Sequence, residues 1–244
     1  MLSAVITAGA RVKGAFAREL GTEVKALARV REQTMLDRAI NAARSAGAGR
    51  IAVVGGSEIA RACAANVERI VAEGWDGAVN VRNALAVWDD AATVLYLTSD
   101  MPYVDGTALS EFTNQAPEGF LAMPICDAAS FERRFPNAPP FGVAVGGERV
   151  VNGGAFIIPA AAAGKVQRLA ARFFQARKSV PAMAALLGPV LALEFLFHRL
   201  TIAKLERHAQ RLLGVPVRAV RDAPPELAYD VDTLEEYRYA ATHS

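Results

Sequence analysis

Residues 2–27, LSAVITAGARVKGAFARELGTEVKAL, decide how this chain is read. They open on an apolar, β-branched run from Leu2 to Thr7. A small-residue turn comes next (Ala8, Gly9, Ala10), then a polar, basic loop, then Lys25 ahead of Ala26 and Leu27. The run reads as a buried strand. A turn without bulky side chains lets the backbone approach a ligand closely. Its N–H groups then point where a phosphate can sit. Arg11, Lys13 and Lys25 supply positive charge nearby. The same residues also satisfy a plainer reading, a strand followed by a turn and a solvated basic loop.

Outward from this stretch the pattern alternates. Thr34 is placed to cap an amphipathic helix, Met35 to Ala46, with Met35, Leu36, Ala39, Ile40 and Ala43 on one face. Ile51–Val54 reads as a second strand, closed by Gly55-Gly56. Ser57 is placed to cap a second helix, to about Ala65. Val67–Val71 is a third strand, Gly74 to Gly77 a loop, and Val79 to Trp88 a third helix. Thr93–Thr98 (TVLYLT) is the most hydrophobic strand of the four. Strands alternating with helices predict a parallel sheet with right-handed crossovers. Ligands of such sheets gather beyond the carboxyl ends of the strands. The 8–11 turn, the 74–77 loop and the residues after Thr98 therefore converge.

Directly after Thr98 stand Ser99-Asp100-Met101-Pro102. A carboxylate at the end of a buried strand sits at the edge of the site. It is equally a turn or capping residue, a common use of Asp. Asp105 or Thr107 begins the next helix. From Gly119 the pattern changes. Phe120–Ile125 is a strand, residues 126–140 a Pro- and charge-containing loop, and Phe141–Val145 with Arg149–Val151 a hairpin about Gly146-Gly147. Asn152-Gly153-Gly154 leads into a strand at Ala155–Ile158. Two amphipathic helical stretches are expected at Ala161–Arg177 and Leu191–Leu213, then a strand at Val215–Val220. The chain closes on Leu227 to Thr233 and a short helix, Leu234–Ala241, which Asp232 is placed to cap.

Composition narrows the function. The net charge of +2 gives no global field for nucleic acid. Cys63 and Cys126 stand in unrelated segments, so they point to neither a metal cluster nor an oxidising compartment. The apolar run Val190–Phe197 contains Glu194, comes after Gly188-Pro189, and is far short of the ~20 residues of a spanning helix. With no signal peptide visible, a soluble, cytoplasmic protein with no membrane partner is expected.

Three motifs in order resemble the MobA-like nucleotidyltransferases, of the GT-A-like nucleotide-diphospho-sugar transferase fold. They are ITAGAR with Lys25 downstream, LYLTSDMPYV around Asp100, and YDVDTLEEY around Asp230 and Asp232. NGGAFIIP is similar to the family's Asn/Gly-rich strand. The first loop departs from the family in having fewer glycines, with Gly14 displaced and Val24 where a Pro is usual.

The resemblance implies a Rossmann-like, three-layer αβα domain over 1–244 with a mostly parallel mixed sheet, residues 1–118 binding the NTP and 119–244 the acceptor. It implies transfer of a nucleoside monophosphate from an NTP to a phosphorylated acceptor, releasing pyrophosphate. Ala8, Gly9, Ala10, Arg11 and Lys25 would hold the triphosphate, and Gly74 and Asn80 would face the base. Lys25, Asp100 and Arg11 would be catalytic. Asp100, Asp230 and Asp232 would bind Mg²⁺, which favours carboxylates and phosphate oxygens. Residues two apart on an extended segment point the same way, so Asp230 and Asp232 can face one ion. Alternatively Asp232 only caps the last helix. Arg133, Arg134 and Lys165 are candidates for the acceptor's phosphate, and a homodimer is possible by analogy. The histidines are expected to be structural or exposed. A glycosyltransferase of this fold is disfavoured because Thr98-Ser99-Asp100 lacks a first Asp, and a dinucleotide oxidoreductase because G-x-G-x-x-G is missing. A nucleotide-binding protein of the same fold with impaired catalysis remains the rival from another class.

Overall fold

The computed structural model describes residues 2–176, 179, 182, 185, 186 and 188–243. Period-two burial explains the centre of the molecule. In β1 (Leu2–Thr7), β4 (Ala48–Gly55) and β6 (Thr93–Thr98) alternate residues feed two different cores. Ala4, Ile6, Ile51, Val53, Leu95 and Leu97 face one, and Val5, Ala52, Val54, Val94 and Tyr96 the other. Strands apolar on both faces must be covered on both, as the crossover helices of a parallel sheet do. Helices α2 (Met35–Ser45), α3 (Ser57–Cys63) and α5 (Gly106–Gln115) lie on the first face, and α4 (Gly77–Ala86) and α7 (Ala160–Ala176) on the second. The result is a mixed, mostly parallel sheet between two helical layers, as the motifs implied.

With β5 (Arg69–Ala72), β7 (Leu121–Asp127), β8 (Val143–Val145), β9 (Glu148–Asn152) and β10 (Ala155–Pro159), the strand order is β5-β4-β1-β6-β10-β7-β9-β8. The first four strands are parallel. β10 enters antiparallel between β6 and β7, and β11 (Val217–Val220) runs parallel to β7. β8 and β9 form the expected hairpin about Gly146-Gly147. A two-stranded ribbon, β2 (Arg29–Val30) with β3 (Gln33–Thr34), precedes α2.

Three expectations are corrected. The basic loop after the first turn contains α1 (Gly14–Leu20), whose Leu20 joins an aromatic core at one end of the sheet, with Phe16 packed beside it. Residues 126–140 contain α6 (Ala128–Arg134), because the Asp127 carboxylate accepts from Ser130 N and starts a helix that buries Phe131. Leu191–Leu213 is not one helix but two, α8 (Pro189–Leu196) and α9 (Ile202–Leu213). The break falls where His198 takes φ +54° and Thr201 caps the second helix. The amphipathic stretch ending at Arg177 is seen as α7 to Ala176, and Arg177 lies outside the described residues.

The Gly153-Gly154 pair between β9 and β10 positions the site. Gly154 O accepts from Thr98 N at 2.9 Å, and Gly154 N donates to Leu227 O at 2.9 Å. Thus the pair ties the end of β6 to the segment that carries Asp230 and Asp232. A Cβ on Gly153 would stand 2.5 Å from Leu227 O and 2.7 Å from Pro124 Cγ. Gly153→Ala must displace backbone, and overpacking of this kind costs about 1–3 kcal/mol. The expected result in urea unfolding is a loss of that size, with a larger loss of activity because Asp232 moves off its partners.

Candidate functional site

Lys25 is the centre of the site. Val12 N donates to Glu23 O and Lys25 N to Ala10 O, both at 2.9 Å, so the basic loop folds back on the first turn. The Lys25 side chain then enters the sheet edge and is only 6% exposed. Its Nζ lies 2.7 Å from Asp100 Oδ2 and 2.8 Å from Asp232 Oδ1. Two carboxylates from widely separated segments therefore share one buried ammonium. Burial pushes the Lys25 pKa down, but the charges and hydrogen bonds of Asp100 and Asp232 outweigh it and raise the net value, so the amine is a fixed cation.

Neither carboxylate is used as a helix cap. Asp105 caps α5 by accepting from Ala108 N at 2.8 Å, which frees Asp100. Thr233, not Asp232, caps the last helix, α10 (Leu234–His243). Thr233 Oγ1 accepts from Glu236 N at 3.3 Å, and Glu236 Oε2 accepts from Thr233 N at 2.6 Å. This reciprocal capping box leaves Asp232 to meet Lys25. Val231 N donates to Asp100 O at 3.0 Å and locks the two acidic segments together. Asp100 Oδ1 is buried and, among the described residues, has no hydrogen-bond partner.

Asp230 completes the cluster. Its burial, then the charges of Asp100 and Asp232, push its pKa up to about 7, against the opposing pull of Lys25. A carboxyl whose folded pKa exceeds its unfolded value holds more protons in the folded state. The stability it lends is therefore present below the ordinary value and fades as pH climbs from about 4 to about 7. Asp230→Asn removes that penalty. The variant is expected to match wild type in urea midpoint at pH 4 and to exceed it at pH 8.

Arg11 is placed elsewhere. Its guanidinium donates to Glu58 at 3.1 Å and to Glu73 at 2.8 Å. Hydrogen bonding to Glu58 and Glu73 raises the Arg11 pKa, and Arg11 in turn holds the Glu58 carboxyl down to about 2. Glu73 stands just past β5 and leans over the first turn, where a Cβ on Gly9 would meet its Oε2 at 2.5 Å and one on Gly56 its Oε1 at 2.6 Å. Ala8 is buried and its N–H donates to Val54 O, leaving the N–H groups of Gly9, Ala10 and Arg11 without a backbone partner among the described residues, apart from the bridge of Arg11 to Val24. Gly74 N donates to Asn80 Oδ1 at 2.7 Å, so these two residues bind each other at the start of α4. The structure thus gathers Lys25, Asp100, Asp230 and Asp232 in one cluster and Gly9, Arg11, Gly74 and Asn80 in a second group, joined by the 8–11 turn. Of the acceptor candidates, Arg134 pairs with Glu226, Arg133 donates to Ser130, and Lys165 packs at Gly214 before β11. Because β11 runs parallel to β7, Gly214 is at the amino edge, so Lys165 is remote from Asp100.

Sequence reasoning missed Glu58, Glu73 and Glu236. Glu73 had a readable signal, an acidic residue directly after a strand, as at Asp100. So did Glu236, through the Thr233-x-x-Glu236 spacing.

The cluster can be tested for a divalent ion. Among the described residues no three His, Cys, Asp or Glu side chains form a ready metal cage. The donors nonetheless suit a hard cation that also binds phosphate oxygens, since Asp100 offers an unpartnered oxygen and Asp230 a carboxyl crowded by like charges. No described helix is long and apolar enough to cross a membrane.

Comparison with known proteins bears on the fold and the family. A hypothetical transferase from Thermus thermophilus is 28% identical, with a TM-score of 0.82 over 97% of this chain and 99% of that one. A nucleotidyl transferase from Methanothermobacter thermautotrophicus has a TM-score of 0.56 at 17% identity, over 100% of this chain and 97% of that one. Rv0371c from Mycobacterium tuberculosis, in complex with manganese, has 0.58 at 20%, over 100% and 99%. The last two likenesses show the fold. No curated protein matches. The model of the MobA-like NTP transferase domain matches residues 4–220, and the chain belongs to that family.

Proposed function

We propose that this chain is a Mg²⁺-dependent nucleotidyltransferase that moves a nucleoside monophosphate from an NTP to a phosphorylated acceptor and releases pyrophosphate. The observation that carries this reading is the buried Lys25 ammonium between Asp100 and Asp232 at the carboxyl edge of the sheet. In such a transfer an acceptor oxygen attacks the α-phosphorus in line, and negative charge grows on the bridging and leaving oxygens. Catalysis is then mainly positioning and fixed positive charge.

Lys25 supplies that charge at a point set by two carboxylates. The backbone N–H groups of the 8–11 turn would receive the incoming phosphates. Asp100, with Asp230 and Asp232, would hold Mg²⁺, which when bound neutralises phosphate oxygens. Gly74 and Asn80, hydrogen-bonded to each other, would face the base. The test is pyrophosphate release with ATP, GTP, CTP and UTP, Mg²⁺ and a panel of phosphorylated acceptors. Release with one NTP and acceptor supports the transferase. Nucleotide binding without turnover across the panel would favour the binding-protein alternative. Metal binding has its own readout, since Mg²⁺ should raise the melting temperature of wild type at pH 8 and leave Asp100→Asn unmoved.

A further inference from the structure

Tyr103 stands three residues after Asp100 on the same turn. It is 7% exposed, and its hydroxyl has no hydrogen-bond partner among the described residues. Its ring packs edge-on against Tyr229, the residue before Asp230, at 5.0 Å, and tilted against Phe135 at 4.6 Å. The positive charges of Arg31, Arg38 and Arg134 all bear on this phenol. Arg31 sits at the tip of the β2–β3 ribbon with φ +56°. Arg38 lies in the first turn of α2, and Arg134 ends α6 with its guanidinium 5.9 Å from the Tyr103 ring.

Two of these cations, Arg31 and Arg38, are poorly compensated. Arg38 Nη2 donates to Val30 O at 3.1 Å, while its Nε is buried without a partner. Burial, then the like charge of Arg31, holds the Arg38 pKa below its ordinary value. Among the described residues neither Arg31 nor Arg38 has an ion pair. The carboxylates of these segments are otherwise engaged or exposed: Asp37 accepts from Thr34, Glu226 pairs with Arg134, and Glu32 is exposed. A buried hydroxyl and a buried guanidinium N–H without partners, with a second unpaired cation nearby, are unfavourable until an anion satisfies them. Planar guanidinium groups match the oxygens of a phosphate in pairs.

We propose that Arg31, Arg38 and Arg134, grouped around Tyr103, form a subsite for a phosphate dianion on the turn that follows Asp100. The inference goes beyond the transferase reading and stands apart from it, since the subsite is distinct from the groups assigned to the NTP. Two sources share this chemistry, the phosphate group of the acceptor and free inorganic phosphate.

The test is calorimetric titration of the full chain with inorganic phosphate at fixed ionic strength, against chloride. Wild type and Lys165→Ala, which alters a cation remote from Asp100, should bind it alike. Arg38→Ala and Arg31→Ala should each weaken binding about tenfold or more, the loss of one charge-assisted contact. Arg31 is exposed, so its variant guards against a folding artefact. Tyr103→Phe, which keeps the ring, should weaken binding by a smaller factor. Phosphate binding no tighter than chloride, binding unchanged in both arginine variants, or binding lost in Lys165→Ala would each overturn the subsite. Kinetics then separate the sources: a higher KM for the phosphorylated acceptor in Arg31→Ala, with KM for NTP unchanged, assigns it to the acceptor. A rate effect of free phosphate that does not compete with the acceptor assigns it to phosphate itself. Phosphate binding that depends on the arginines, with no NTP turned over, would leave the subsite standing and end the transferase reading.

Discussion

Replacing Asp100 by Asn is expected to lower pyrophosphate release by about 10²–10³-fold, the scale of losing one preorganised electrostatic contact in an active site. The amide keeps an oxygen for the Lys25 ammonium, so the fold should survive with its near-ultraviolet spectrum unchanged. The loss is of negative charge at an oxygen that is buried and unpartnered beside the proposed triphosphate position. The effect should fall on kcat rather than on KM for NTP, because Lys25 remains in place. A variant with a near-normal rate would remove Asp100 from the reacting centre.

Lys25→Ala should behave differently. It deletes the ammonium that the structure sets between Asp100 and Asp232, and so damages both binding and folding. Removing one charge-assisted contact to phosphate costs about 1.5–3 kcal/mol, roughly a 10–100-fold rise in KM for NTP. Breaking a buried pair costs about 3–5 kcal/mol, and the lower end applies here because Asp232 is largely exposed. Asp230, already protonating near neutral pH, then loses the charge of Lys25 that pulls its pKa down. The stability of this variant should therefore decline more steeply than that of wild type between pH 7 and 8. Unchanged NTP kinetics would count against the phosphate role of Lys25.

Much of the fold was readable because it rests on periodicity. The two-sided apolar strands β1, β4 and β6 and the amphipathic α2 declare themselves locally, and their alternation implies the parallel sheet. The misplaced pieces were those whose structure depends on distant partners. Helix α1 looks like a basic loop until Leu20 is seen in one core with Met35 and Val30. The break at His198 comes from Thr201 capping α9, which a continuous apolar pattern hides.

The site divides in the same way. The convergence of Lys25, Asp100 and Asp232 was legible from three motifs in order, since each sits near a strand end or opens a helix. Whether Asp232 caps its helix was left open, because Asp232 and Thr233 are adjacent and both are capping residue types; the Thr233-x-x-Glu236 spacing is the local signal that favours Thr233. Arg11 was legible as a cation beside the first turn. Its engagement by Glu58 and Glu73 was not, as those carboxylates come from a helix and a strand end far along the chain.

The most direct measurement is a crystal structure with a non-hydrolysable NTP and Mn²⁺, read by anomalous scattering. The expected result is a metal peak within about 2–2.6 Å of an Asp100 oxygen, with the Lys25 ammonium on the nucleotide's phosphates. A nucleotide bound with its phosphates away from Lys25, and no metal at Asp100, would contradict the assignment.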